Sequence, residues 1–168
     1  MKLIKKLRDD ARWKWRETYD RWVKNYEKYA RMRGFTSFND RPYHRRGFID
    51  CWWQPGFHRF WQVWNPGISY FVYRLFIRLG GLKHWIAPTI LAFALNGLVH
   101  TIVIWLLFGR WSYTLIVTFT CFGLLTVLNR KLEPVLQQDR WPLLVNLLLN
   151  VSFVIGSFDL GFRVNTVL

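Results

Sequence analysis

The sequence predicts an all-α membrane protein: about three transmembrane helices, an interfacial or re-entrant helix before them, and a basic amphipathic helix at the N-terminus. Three observations predict this. The back half contains three long apolar stretches, each near the roughly 20 residues that cross a bilayer. Of the 24 Lys and Arg, 19 lie in residues 1–83 and only five in residues 84–168. Aromatic residues make up 19% of the chain and include 11 Trp, while the formal net charge is +14. A basic, aromatic-rich cytoplasmic or membrane-surface region (residues 1–59) is therefore expected to precede a membrane-embedded region (residues 60–168).

Residues 1–33 read as one helix, because Ile4, Leu7, Ala11, Trp15, Tyr19, Trp22, Tyr26 and Tyr29 recur at steps of three or four. An aromatic stripe beside many cations suits the headgroup region of a bilayer with anionic lipids. A solvated helix packed on its own protein is the alternative. Gly34 is the expected stop. Residues 34–59 carry Gly, Pro, Asn and Asp without a sustained period, and are expected to form a loop or a series of short turns. The start MKLIKKLRDDARWKW lacks the apolar core of a signal peptide, so insertion is assigned to the later spans.

From Phe60 to Gly81 the apolar residues are interrupted by Arg74 and Arg78. An interfacial or re-entrant helix starting after Asn65-Pro66 and ending at Gly80-Gly81 fits this stretch. Spans follow at about 85–109, 111–128 and 141–162, with 129–140 as a polar loop. The third is less clean, since it includes Asn146, Asn150 and Asp159. The excess of Lys and Arg places the N-terminus and the 129–140 loop in the cytoplasm, and the Gly109–Trp111 turn outside.

His100 is the residue that points most directly at chemistry. It sits in a charge-free run from Trp85 to Gly109, where an imidazole must face a partner, a cavity or a substrate path. Asn96, four residues earlier, shares its face, and Gly97 permits close approach of a neighbour. Such a histidine suits general-base work, worth on the order of 10²–10⁴ in rate. Equally, His100 and Asn96 can simply glue helices together by hydrogen bonding. Asp159 and Arg163, one turn apart, either pair within the last span or mark its exit. His44, Cys51 and His58 lack the spacing of a metal site, and Cys51 and Cys121 are not expected to pair. The GxGxxG, P-loop, HExxH and GxSxG motifs are absent, and anionic lipid accounts for the charge without nucleic acid.

The block Arg59-Phe60-Trp61-Gln62-Val63-Trp64-Asn65, the Leu75–Gly81 stretch and Asn96-Gly97-Leu98-Val99-His100 together resemble the membrane-bound O-acyltransferase family, in particular its alginate and exopolysaccharide O-acetylase branch. The resemblance covers roughly residues 57–110, with Asn65 at the upstream polar position and His100, 35 residues later, at the catalytic histidine. Val99 and Thr101 stand where the family has Trp and Gly, and the chain is shorter than family members. The resemblance implies transfer of an acyl group, acetyl by preference, from a coenzyme A or carrier-protein thioester to a hydroxyl of a glycan or lipid, with no bound cofactor. It makes His100 the general base and Asn65 a group that polarises the acyl carbonyl or orients the acceptor. Trp61 and Trp64 would shape the tunnel that holds substrate. Apart from the resemblance, the Asn96 amide can orient the imidazole or hydrogen-bond a substrate, and Arg74 and Arg78, one turn apart, can receive phosphates of a coenzyme A-type donor or anionic lipid headgroups. Interfacial anchoring is the other role open to the two tryptophans.

Three spans hardly enclose a reaction chamber, so a homo-oligomer or a multi-span membrane partner is expected, in a bacterial inner membrane. A non-catalytic membrane subunit that kept the architecture is the alternative from a different class. A basic membrane-anchored interaction protein is the third.

Overall fold

A computed structural model describes residues 24–35 and 41–167. Among these residues there are helices and connecting turns and no strand. The chain divides into two compact units, Met1–Tyr43 and His44–Leu168. In the first, α1 runs across residues 24–32 and ends in a turn at Gly34, as the glycine predicts. Tyr26 and Tyr43 share a hydrogen bond between their buried hydroxyls, and Phe35 packs on the Tyr43 ring at 5.3 Å. The part of the predicted amphipathic helix before residue 24 lies outside the described residues.

The segment expected to be loop is largely helical. Helix α2 covers Arg41–Phe48, a 3₁₀ turn covers Asp50–Trp53 and helix α3 covers Phe57–Val63. Gly and Pro set the joints rather than abolishing the helices: Gly56 stands at φ 90° immediately before α3. Helix α4 is Pro66–Arg78, with Pro at its first turn as predicted and Gly80 at φ 82° beyond its end.

Three helices are long and apolar enough to cross a bilayer, which makes this an integral membrane protein: α5 (Ile86–Phe108), α6 (Thr114–Leu136) and α7 (Leu143–Val167). At 1.5 Å per residue, 23 residues of α5 measure about 35 Å, against roughly 30 Å of hydrocarbon. The expected 129–140 loop is corrected here. Helix α6 continues through Arg130, Lys131 and Pro134 to Leu136, and only Gln138–Arg140 turns, as a short 3₁₀ segment. Two long-range contacts hold this extension: Arg130 lies over the Trp85 ring at 4.6 Å, and Glu133 pairs with Arg59 at 2.6 Å.

The three long helices run antiparallel in sequence order. Gly97 lets α5 and α6 meet closely, since a Cβ there would lie 2.6 Å from Leu115 O. The α6–α7 pair is joined by Thr118 Oγ1 donating to Ser157 O at 3.3 Å, and by Asn165 Oδ1 accepting from Tyr113 N at 2.9 Å. The 3₁₀ turn and α3 pack on α6 and α7 rather than lying beside them. Phe57 is fully buried, with its ring against Phe122 of α6 at 5.8 Å and Phe153 of α7 at 5.3 Å, both well inside their helices.

Such an insertion brings non-helical backbone among the spanning helices, where each unmet polar group is costly. Asn150 answers part of this, donating from Nδ2 to both Trp52 O and Gln54 O at 3.0 Å. We predict that Asn150→Leu, which removes both bonds at a fully buried position, destabilises the fold by about 2 kcal/mol or more. Thermal unfolding in detergent checks this, with Leu148→Ala on the exposed face of α7 as the reference substitution.

Candidate functional site

His100 faces the bundle and not the exposed side of α5. The buried residues of this helix are Pro88, Ala92, Phe93, Asn96, Gly97 and Thr101. At 3.6 residues per turn His100 falls on the arc between Asn96 and Gly97, whereas Leu91, Leu95, Val99 and Ile102 are exposed on the other side. Its Nδ1 bonds the Asn96 carbonyl oxygen at 2.8 Å, and its ring stacks on Phe119 of α6 at 5.1 Å. A carbonyl is acceptor-only, so Nδ1 carries the proton and donates. In the neutral ring Nε2 is then the acceptor nitrogen, and no hydrogen-bond partner among the described residues meets it.

Asn96 is 2% exposed, and its Nδ2 has no partner among the described residues. Trp61, from α3, packs on Phe93 of α5 at 5.1 Å and on Phe122 of α6 at 4.9 Å. Its buried indole Nε1 is likewise without a partner among the described residues. Trp64 touches Trp61 edge-on at 5.0 Å. The rings of Trp64, Trp61, Phe122, Phe119 and His100 thus form one continuous series of contacts, the Phe119–Phe122 step being 5.4 Å. Trp61, Asn96 and His100 are brought to the same α5–α6 seam.

Asn65 is engaged otherwise. It stands at φ 34° as the N-cap of α4, with Oδ1 accepting from Ile68 N at 3.4 Å and its own backbone N–H donating to Gly47 O at 3.0 Å. No hydrogen bond or ring contact joins Asn65 to His100; the aromatic series lies between them. Arg74 and Arg78 sit on α4, Arg74 over the Tyr70 ring at 5.9 Å and Arg78 exposed at the helix end. Neither has an ion-pair partner among the described residues, and neither contacts His100.

Sequence reasoning missed a second polar cluster. His58 is 6% exposed, with Nδ1 at 2.7 Å from Asn129 Oδ1 and Nε2 at 3.4 Å from Glu133 Oε2. Asn129 Nδ2 donates to Gln138 Oε1 at 3.0 Å, and Asn146 Nδ2 to Gln138 O at 3.3 Å. Arg59 bridges Glu133 and Asp139, each at 2.6 Å. A Cβ at Gly56 would lie 2.6 Å from Asn129 Oδ1, so only glycine lets the chain pass here. No signal in the sequence links His58 with Asn129, 71 residues away. Asn146 and Asn150, which make the third span less clean, were the available hint. His58 and Arg59 tie the inserted segment to α6 and the turn after it, and Gln138 joins that turn to α6 and α7, which is structural work.

Cys51 and Cys121 are free thiols, and no group of three metal-ligating side chains occurs among the described residues. Comparison of the chain with protein-family models, curated proteins and solved structures gives no match.

Two predictions follow from this geometry. A capping Asn65 makes Asn65→Ala cost about 1 kcal/mol of stability, while Asn65→Asp, which keeps the acceptor oxygen, stays near wild type. Thermal unfolding of the two variants checks this. Burial pushes the Cys51 thiol from 9.0 up to about 12. The folded chain therefore holds this proton where an unfolded chain releases it, so stability falls as pH rises from about 9 towards about 12. At pH 8 iodoacetamide should leave Cys51 unmodified until the protein is denatured, as read by mass spectrometry.

Proposed function

We propose that this protein is a membrane-bound O-acyltransferase, moving an acyl group, acetyl by preference, from a thioester donor to a hydroxyl of a glycan or lipid. The observation that carries the proposal is the state of His100. Its inward-facing ring has Nδ1 tied to the Asn96 carbonyl at 2.8 Å, and Nε2 remains without a partner among the described residues. A hydroxyl presented to Nε2 can be deprotonated as it attacks, with the Nδ1 bond holding the ring in the required tautomer. The resemblance of residues 57–110 to the acyltransferase family supports the same assignment. The carbonyl-polarising role it implied for Asn65 has no support from the cap geometry, and Asn65 is better read as shaping α4.

The basic ends of α4 and α6 suit donor phosphates or anionic headgroups. Arg74, Arg78, Lys131 and Arg140 are without ion-pair partners among the described residues, whereas every described carboxylate has one. We place this basic end in the cytoplasm of a bacterial inner membrane by the excess of positive charge.

A second reading has its own observation. The three spans bury only 17–33% of their most apolar windows within the chain, leaving broad faces for another membrane protein or a second copy. On this reading the chain is a non-catalytic subunit with acyltransferase-like architecture. Both readings are compatible with a homo-oligomer or multi-span partner completing the chamber.

His100→Gln separates them. The acyltransferase reading expects transfer from radiolabelled acetyl-coenzyme A into glycan and lipid fractions to fall by about 10²–10⁴ while membrane insertion is retained. Equal labelling by wild type and variant would sink the catalytic reading and leave the subunit reading.

A further inference from the structure

Among the buried polar atoms without partners, Trp61 Nε1 and Asn96 Nδ2 stand apart chemically. The unpartnered atoms of Gln138, Asn146 and Asn150 belong to the amide cluster beneath the inserted segment, and those of Thr101 and Thr126 are hydroxyls, which rotate to donate or accept. Indole and amide N–H groups only donate. Buried donors are nearly always paired in native proteins, because leaving one unpaired forfeits its hydration for nothing. Two such donors at one helical seam point to an acceptor that arrives from outside the chain.

Both donors lie along the α5–α6 seam that carries His100. Trp61 packs on Phe93, which lies three residues before Asn96 on the same face of α5. Trp61 also packs on Phe122, whose neighbour Phe119 stacks on His100. The surroundings are aromatic, so the acceptor has to be an oxygen without a hydrated charge in its resting state. A carbonyl oxygen meets that requirement, having two lone pairs for two donors.

We infer that Trp61 Nε1 and Asn96 Nδ2 together bind the carbonyl oxygen of the acyl group being transferred, as a two-donor oxyanion site opposite His100. The inference rests on the acyl-transfer reading and gives these two residues a catalytic role that packing alone would not. The acceptor hydroxyl oxygen forms a bond to the acyl carbon while His100 Nε2 takes its proton. The carbonyl π electrons move onto the oxygen, where the two N–H groups stabilise the developing negative charge. On collapse the C=O re-forms, the C–S bond breaks and the thiolate leaves with the proton returned by His100. Hydroxyl plus thioester become ester plus thiol, with no other reactant.

The test uses membranes carrying the full chain, acetyl-coenzyme A labelled in the acetyl group, and four proteins: wild type, His100→Gln, Trp61→Phe and Asn96→Leu. Trp61→Phe deletes the N–H and keeps an aromatic ring, and Asn96→Leu keeps the volume. The site predicts that each donor deletion lowers kcat by about 10²–10³ with KM little changed. It also predicts unfolding midpoints no lower than wild type, since each change removes a buried unpaired donor. A purely structural role would lower the midpoint and leave kcat where it was. If His100→Gln is inactive while both donor variants turn over at the wild-type rate, the oxyanion site is overturned and the acyl-transfer reading stands. If wild type forms no labelled ester, or His100→Gln forms as much, the reading beneath the inference is overturned instead.

Discussion

Backbone that is not helical carries N–H and C=O groups that water would normally meet, and among spanning helices no water is assured. In this protein the Gln54–Gly56 link and the end of the short 3₁₀ turn Asp50–Trp53 expose such groups, and they sit against α6 and α7. Its carbonyls at Trp52 and Gln54 are met by the Asn150 amide, and the backbone N–H of His58 reaches Asn129 Oδ1 at 3.4 Å. Gln138 and Asn146 extend the same network, and the His58–Glu133 and Arg59–Asp139 pairs close its outer edge. This satisfaction holds the segment before α3 against α6 and α7. Without it, the segment leading into α3 would meet α6 and α7 with polar backbone groups unmatched.

Once α3 is inserted, its aromatic face does the positioning. Phe57 locks against Phe122 and Phe153, which sets Trp61 against Phe93 and Phe122. The α5–α6 seam then brings Phe119 under His100, held close by Gly97. A polar network near the basic end and an apolar series along the seam thus perform different tasks. One holds the inserted segment in place, and the other packs Trp61 of α3 against Phe93 of α5 and Phe122 of α6.

The apolar runs made the three spans legible, because burial in lipid demands length and composition rather than a partner. Asn65-Pro66 and Gly80-Gly81 marked α4 correctly, since caps and terminators are local chemistry. Residues 41–63 were not legible. Their Gly and Pro read as loop, but each helix there is short and gains its stability from contacts with α6 and α7. The extension of α6 past residue 128 was hidden for a related reason: Arg130 and Glu133 look like loop residues until Trp85 and Arg59 are seen opposite them. For the site, His100 and Asn96 were visible by spacing along one helix. The packing of Trp61 on Phe93 and Phe122 was not, because it brings together three elements distant in sequence. Asn65 has a local role as the cap of α4, consistent with its place immediately before Pro66.

Packing of α3 against the middle of α6 and α7 can be read from the proximity of Phe57 to Phe153. With Cys51 and Cys121 replaced by Ser, cysteines at positions 57 and 153 can be treated in intact membranes with a short bifunctional thiosulfonate. A cross-link between the two is expected, with each single cysteine protected from a membrane-impermeant maleimide. Ready maleimide labelling of position 57 with no cross-link would contradict it, by placing α3 at the surface.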